Sequence, residues 1–330
     1  MSGKDFSAEL EVALRAVQQA AYLCRNVQAG LNPDVLEKRD RSPVTVADFG
    51  SQALICKSLS EAFPGDRIVA EEDSRQLRKP ENEALVARIL EHMAPFAPGA
   101  EPAQLFEWLD LGGDEGKSGR FWCLDPIDGT KGFLRGDQYA VSLALLEDGE
   151  VVLGALGCPN FPFQSSAKNK TGQIFYAVRG KGAFVQDLDL KQAPQPVQVN
   201  PLSDPAQARF CESFESSHSS HSDSQRISEI LGIQTAPVRL DSQAKYAVVA
   251  SGLAEIYLRL PTRADYREKI WDHAAGYLVI REAGGKVTDI SGAELDFSAG
   301  RELRNNRGVV ATNGALHDAV LGAVRQAGIV

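Results

Sequence analysis

No run of about eighteen apolar residues occurs anywhere in the 330-residue chain, so no segment reads as a membrane-spanning helix. The N-terminus, MSGKDFSAELEVALRAV, is charged and periodic and lacks the apolar region of a signal peptide. There is no CxxC. The five cysteines (Cys24, Cys56, Cys123, Cys158, Cys211) are scattered and odd in number, which argues against a disulfide framework or a zinc site and for reduced thiols. There is no basic tail or stripe: 35 Lys and Arg stand against 44 Asp and Glu, for a net charge of -9. That argues against binding a nucleic-acid polymer through its backbone, while leaving open a local cationic pocket for a small anion. HExxH, GxSxG and GxGxxG are absent, so zincin, serine-hydrolase and dinucleotide-binding readings have no local support. Internal repeats are absent too.

What is present is an ordinary globular composition, 43% hydrophobic and 24% charged, enough for one large domain or two ordinary ones. Residues 7 to 29 carry Leu10, Leu14, Val17, Ala21 and Cys24 at helical spacing. SPVTVADFGSQALICKSLSEAF reads as a short strand-like entry and then a helix to Phe63, and NEALVARILEHM as another helix. DRIVAEEDS reads as a buried strand ending in acid residues. FWCLDPIDG, YAVSLALLEDGEVVLGALGCP and GQIFYAVRGKGAFVQD alternate or run apolar, broken by Asp-Gly and Gly-Lys-Gly turns, which are antiparallel signals. A Pro- and Gln-rich patch at 191–205 is the best boundary candidate. Beyond it strands alternate with helices, as in an α/β unit with partly parallel strands. The expected fold class is α/β: an α+β part over 1–192 with an antiparallel sheet, and an α/β part over 193–330. Residues 95–119 fit no element in this reading.

Carboxylates recur where elements end. Asp48 follows PVTVA; Glu71 and Glu72 follow RIVA; Asp125 and Asp128 flank Pro126 after FWCL; Asp272 opens WDHAAGYLVIREAGG. Singly, each has a plain alternative: a helix cap for Asp48 and Asp272, a solvated strand end for Glu71 and Glu72, turn formers for Asp125 and Asp128. Jointly they suit Mg²⁺, a hard cation that takes oxygen ligands in near-octahedral geometry. Pro126 cannot donate to a ladder, so the strand is expected to stop there and turn both aspartates and the Ile127 carbonyl toward one point. Gly129 leaves room for a phosphate, and Thr130 adds a hydroxyl beside free backbone N–H groups. Two or more metal ions on such a site lower the pKa of a bound water and stabilise a leaving oxygen, which points to phosphate-ester hydrolysis.

Two similar patterns fall away. In GGDEGKSG the position five before Gly116 is Leu111, so the P-loop spacing fails by one residue. Asp-Pro-Ile-Asp-Gly-Thr is one residue longer than the DxDGT of aspartyl-nucleophile phosphatases, which puts its two acids out of phase.

VAEEDS, LDPIDGTKGF and WDHAAGYLVIREAGG resemble, in order, the three motifs of the magnesium-dependent, lithium-sensitive inositol monophosphatase superfamily. SPVTVADFGSQ, RGDQYAVSLALLEDGEVVLGALGCPNFP, LDSQAKY and YLRLPTRADYREKIWDHAAG are similar to its 3′(2′),5′-bisphosphate nucleotidase branch, so the resemblance runs over nearly the whole chain. It implies a layered αβαβα sandwich and Mg²⁺-dependent release of the 3′-phosphate of adenosine 3′,5′-bisphosphate, giving AMP, in sulfur metabolism; its sulfated precursor is a further candidate substrate. It implies two or three Mg²⁺ ions held by Glu71, Asp125, the Ile127 carbonyl, Asp128 and Asp272, with Asp48 and Thr130 activating water. It also implies a substrate site of Gly129, Thr130, Asp272, Ser242, Lys245, Arg259 and a histidine matching His221, with His218 as the alternative. Ser242 near a helix start, Lys245 one turn on and Arg259 can hold the phosphate that is not cleaved. A cytoplasmic enzyme with a small-molecule substrate, no nucleic-acid polymer, no membrane and no obligate protein partner is expected. An inositol phosphate phosphatase on the same site and a non-catalytic nucleotide sensor are the alternatives.

Overall fold

The computed structural model of the chain describes residues 4–30, 42–161, 172–214, 221–261, 263 and 265–329. Its architecture follows from alternation along the strands. In β2 (Arg120–Asp128), Trp122 and Leu124 face one core while Phe121 and Cys123 face another. A strand covered on both faces can be apolar throughout, which is why FWCL runs without polar breaks. Together with β1 (Arg67–Ala70), β3 (Ala140–Glu147), β4 (Glu150–Cys158), β5 (Gln173–Val178), β6 (Ala183–Asp187) and β7 (Gln195–Val197), β2 forms a seven-stranded sheet in chain order. β1 runs parallel to β2, and the remaining neighbours are antiparallel. Asp148 and Gly149 turn β3 into β4 with φ of 50° and 81°, the two-residue hairpin that an Asp-Gly pair favours.

One face of this sheet shares a core with α1 (Ser7–Ala29) and α2 (Ser42–Ala62): Ala16, Val17 and Leu54 lie with Leu143, Leu153 and Ile174. The other face shares a core with α7 (Ala244–Ala250) and α8 (Ala274–Glu282). α8 on this face and α1 on the other come close to β4 because glycines leave the space. A Cβ at Gly154 would stand 2.8 Å from the Ala275 carbonyl oxygen, and one at Gly157 2.7 Å from Val17 Cγ1.

The second sheet has the order β11 (Lys286–Thr288), β12 (Val309–Thr312), β10 (Ile256–Arg259), β8 (Phe210–Glu212), β9 (Val238–Arg239). Its inner residues Cys211, Tyr257 and Ala311 join the α7–α8 core. Its outer residues Phe210, Ile256 and Val310 pack with α6 (His221–Leu231) and α9 (His317–Gln326). Helices, sheet, helices, sheet and helices therefore stack in five layers, the αβαβα sandwich expected. The pairs β8–β10 and β8–β9 are parallel, as strand–helix alternation suggested.

Three local expectations change. α2 runs from Ser42, so the stretch expected as a strand-like entry is helical; proline in a helix's first turn has no N–H to lose and a φ already set for the helix. β2 does not stop at Pro126. It continues to Asp128 across a register shift, with Asp125 opposite Ser142 and Asp128 opposite Ala140. Asp272 does not open α8 itself but ends a single 3₁₀ turn, Ile270–Asp272, that precedes it. The segment without an assignment contains α4 (Pro102–Asp110), started by Pro102 and a reciprocal Glu101–Gln104 cap. α3 (Glu83–Met93) and α5 (Thr130–Leu134) complete the set. Among the described residues no helix is long and apolar enough to cross a membrane.

Candidate active site

The bulge in β2 builds the corner. From Asp125 to Asp128 the strand advances three residues while β3 advances two, from Ser142 to Ala140. The extra residue bends the strand and re-aims its side chains. Pro126 removes one ladder donor at that point. Asp125, buried at 2% exposure, folds its Oδ1 back to accept the Ile127 N–H at 3.1 Å. Ser51 of α2 donates to the Pro126 carbonyl at 3.0 Å. The corner then passes through Gly129, at φ 93°, into α5, whose first residue Thr130 is exposed.

Four elements bring the acids together. Asp48 comes from α2, Glu71 follows β1, Asp125 and Asp128 come from β2, and Asp272 precedes α8. Gln52 of α2 fixes the end of β1. Its Oε1 accepts the Glu72 N–H at 2.9 Å and its Nε2 donates to the Glu72 carbonyl at 2.6 Å. Arg301 joins the segments that carry Glu71 and Asp272: it donates to the Ala70 carbonyl and to that of Asp114 at 3.0 Å, and its guanidinium lies 4.8 Å from the Trp271 ring centre. The sequence singled out neither residue.

The electrostatics report the crowding. Burial, then Asp272, Glu72 and Asp128, push the Glu71 carboxyl up to about 8, although a hydrogen bond with Asp125 works the other way. Burial, then Glu71, Asp128, Asp272 and Asp48, push Asp125 well above the carboxylate range. Burial, then Asp128, raise Asp272 to about 6, against Arg259 and His273. Asp48 is raised well above its usual value by burial, then Glu72 and Glu71. Buried carboxylates that repel one another, two of them sharing a hydrogen bond, need protons or cations between them. An all-oxygen donor set of this kind fits hard divalent cations. Asp48 and Thr130 are not hydrogen-bonded to each other.

The predicted substrate residues adjoin this cluster. The Gln243 N–H donates to Asp128 Oδ2 at 2.6 Å, tying the start of α7 to the corner. Ser242 is buried, sits at φ 75° and accepts the Ala244 N–H at 3.1 Å. A Cβ on Gly129 would stand 2.9 Å from Ser242 Cβ, so this glycine makes room for the Ser242 turn. Lys245 is buried; its Nζ is 3.5 Å from the Leu240 carbonyl and 5.2 Å from the Tyr257 ring centre. Burial lowers its pKa, with Asp128 opposing. Arg259 Nε is 3.2 Å from Glu268 Oε2, and its Nη2 is 4.0 Å from Asp272 Oδ2. His221 opens α6, but its side chain lies outside the described residues, as does His218.

Known proteins are similar to this chain over nearly its whole length. The "Inositol monophosphatase family" matches residues 7–328. Proteins named 3′(2′),5′-bisphosphate nucleotidase are similar over nearly their whole length. That of Emericella nidulans is 45% identical over 97% of this chain and 98% of its own. That of Oryza sativa is 46% identical over 99% and 96%, and that of Schizosaccharomyces pombe 42% over 96% and 95%. Among solved structures, the Thermotoga maritima IMPase shares the fold with a TM-score of 0.65 at 22% identity, covering 98% of this chain and 99% of that one. Mycobacterium tuberculosis SuhB does so with 0.62 at 21%, covering 96% and 95%.

Proposed function

The chain belongs to the inositol monophosphatase family, and from that premise we propose that it is a Mg²⁺-dependent 3′(2′),5′-bisphosphate nucleotidase, releasing the 3′-phosphate of adenosine 3′,5′-bisphosphate as inorganic phosphate and leaving AMP. The observation that carries this reading is the seam between charges of opposite sign: Asp128 of the acidic cluster is bonded to the turn that presents Ser242 and Lys245, and Arg259 reaches Asp272. A substrate with two phosphates matches such a seam. One phosphate would lie at the carboxylates once cations offset their charge, and the other at Lys245 and Arg259. Full-length relatives named for this activity support the same substrate class.

Glu71, Asp125, the Ile127 carbonyl, Asp128 and Asp272 would hold the metal. When bound, Mg²⁺ neutralises these carboxylates, polarises the phosphoryl oxygens and makes a coordinated water more acidic. The chain's own residues do the rest. We assign Thr130, at the first turn of α5, and Asp48 to the proton transfer from the attacking water, with the Asp48 carboxylate as the acceptor. Ser242, Lys245 and Arg259 orient the phosphate that stays, and we assign His221 to the same nucleotide site. The five cysteines are free and buried, which suits the cytoplasm we propose for the enzyme.

Asp128→Asn tests the assignment. It keeps an acceptor for the Gln243 N–H and removes one charge from the cluster. We expect a loss of Mg²⁺-dependent phosphate release of at least about a hundredfold with an unchanged circular dichroism spectrum. Activity equal to wild type would overturn the metal assignment.

A further inference from the structure

Arg259 is held by a chain of buried side chains that no motif predicted. Tyr246 is fully buried and its hydroxyl is 2.7 Å from His273 Nδ1. His273 Nε2 is 3.1 Å from Glu268 Oε2. A carboxylate only accepts, so Nε2 carries a proton and donates to Glu268; in the neutral imidazole Nδ1 then accepts from Tyr246. Glu268, 6% exposed, also receives Arg259 Nε, at 3.3 Å from Oε1 and 3.2 Å from Oε2. Tyr266 adds a side-chain hydrogen bond to Arg259. Glu268, Asp272 and His273 place one ligand atom each within 4.8 Å of one another, a spacing a metal could use. Yet the charge of Glu268 is already met by Arg259, and His273 Nδ1 is already met by Tyr246. The cation of this triad is the guanidinium.

We propose that Glu268, supported by His273 and Tyr246, is a positioning residue for the nucleotide: it fixes the guanidinium plane of Arg259 so that the Nη side faces Asp272 and the phosphate that is not cleaved. A guanidinium is flat and its donors diverge in fixed directions. Anchoring Nε therefore decides where the remaining donors point. Glu268 lies nine residues beyond Arg259 on a separate segment, and its backbone is pinned by the Leu303 N–H donating to its carbonyl at 2.9 Å. The anchor thus comes from a segment other than β10, the strand that carries Arg259. Without it, Arg259 keeps its charge but loses its aim, so affinity for the retained phosphate falls while the chemistry at the other phosphate stays in place.

This inference rests on the proposed nucleotidase reading, and the experiment separates the two. Wild type, Glu268→Ala and Glu268→Gln are assayed for kcat and KM with adenosine 3′,5′-bisphosphate and Mg²⁺, and for inhibition by AMP and by inorganic phosphate. AMP carries the retained phosphate; inorganic phosphate reports the cleavage side. In Glu268→Ala, KM and the AMP inhibition constant rise together by about tenfold or more, as for loss of a charged hydrogen bond. The constant for inorganic phosphate stays within about twofold and kcat within about threefold. Glu268→Gln keeps an acceptor for Arg259 Nε and falls between. Should Glu268→Ala fail to fold, Glu268→Gln decides on the same two inhibition constants. Equal weakening of AMP and phosphate, a loss confined to kcat, or no change in either variant overturns the inference. Wild type that releases no phosphate from the bisphosphate overturns the nucleotidase reading, and the inference with it.

Discussion

Replacing Gly129 by alanine attacks the one point where the acidic corner touches the Ser242 turn. Two costs add. At φ 93° an L-residue is in the left-handed region, which costs about 1–2 kcal/mol. The new Cβ would also lie 2.9 Å from Ser242 Cβ and 3.3 Å from Ser242 N. Neither atom is the end of a flexible chain, and Ser242 is itself held at φ 75°, so the backbone must move, at about 1–3 kcal/mol. The sum, about 2–5 kcal/mol, corresponds to a fall in Tm of roughly 3–7 °C in a chain of this size. The same movement pulls the Gln243 N–H from Asp128 Oδ2, so activity falls by at least about tenfold. Gly136→Ala is the control: Gly136 has φ 73° but a Cβ there meets nothing within 4 Å, so only the first cost applies and activity is kept. Thermal denaturation and phosphate release on both variants are the assays. Equal Tm shifts and equal activities would show that the contact with Ser242 does not matter and refute the reasoning.

Arg301→Ala removes the donors to the Ala70 and Asp114 carbonyls and the stack on Trp271, loosening the segments that carry Glu71 and Asp272; the Mg²⁺ concentration for half-maximal activity should rise by about tenfold or more, read by metal titration, with activity largely recovered at saturating Mg²⁺. His317, buried with Nε2 2.9 Å from Thr288 Oγ1 and Nδ1 3.0 Å from Thr312 Oγ1, has its pKa lowered from 6.5 to about 4 by burial and then Lys286. Because the folded pKa lies below the unfolded one, this contribution is fully present above pH 6.5 and is lost as pH falls toward 4. The gap corresponds to about 3 kcal/mol, and His317→Gln should flatten the slope of unfolding free energy between those limits. An unchanged slope would contradict it.

The parts of this protein that were legible in its sequence are those governed by local rules. Apolar runs broken by Asp-Gly gave the hairpins, and Asp125-Pro126-Ile127-Asp128 marked the corner, because turn chemistry and strand patterning act over a few residues. Pro126 misled on one point: a bulge absorbs the missing donor, so the ladder resumes at Asp128. β7 and β11, three residues each, are too short to show a period. Gln52, Glu268 and Arg301 were invisible for another reason. Each is a polar residue that no local pattern marks, and only folding sets it against its partners, from nine residues away for Glu268 and Arg259 to 231 for Arg301 and Ala70. No local pattern marks Tyr246 or His273 either. Their alignment with Glu268 exists only once α7 and the turn before α8 pack together.

The central claim is that a metal-loaded acidic corner and the Lys245–Arg259 side of the site act on one substrate bearing two phosphates. Its most direct test is kcat/KM for phosphate release, with Mg²⁺, from adenosine 3′,5′-bisphosphate and from inositol 1-phosphate and inositol 1,4-bisphosphate on the same preparation. The account predicts Mg²⁺-dependent release that favours the nucleotide by at least about a hundredfold, as expected when one substrate leaves buried charged groups unmatched. Equal or faster release from the inositol phosphates, or tight binding of the nucleotide without release, would contradict it.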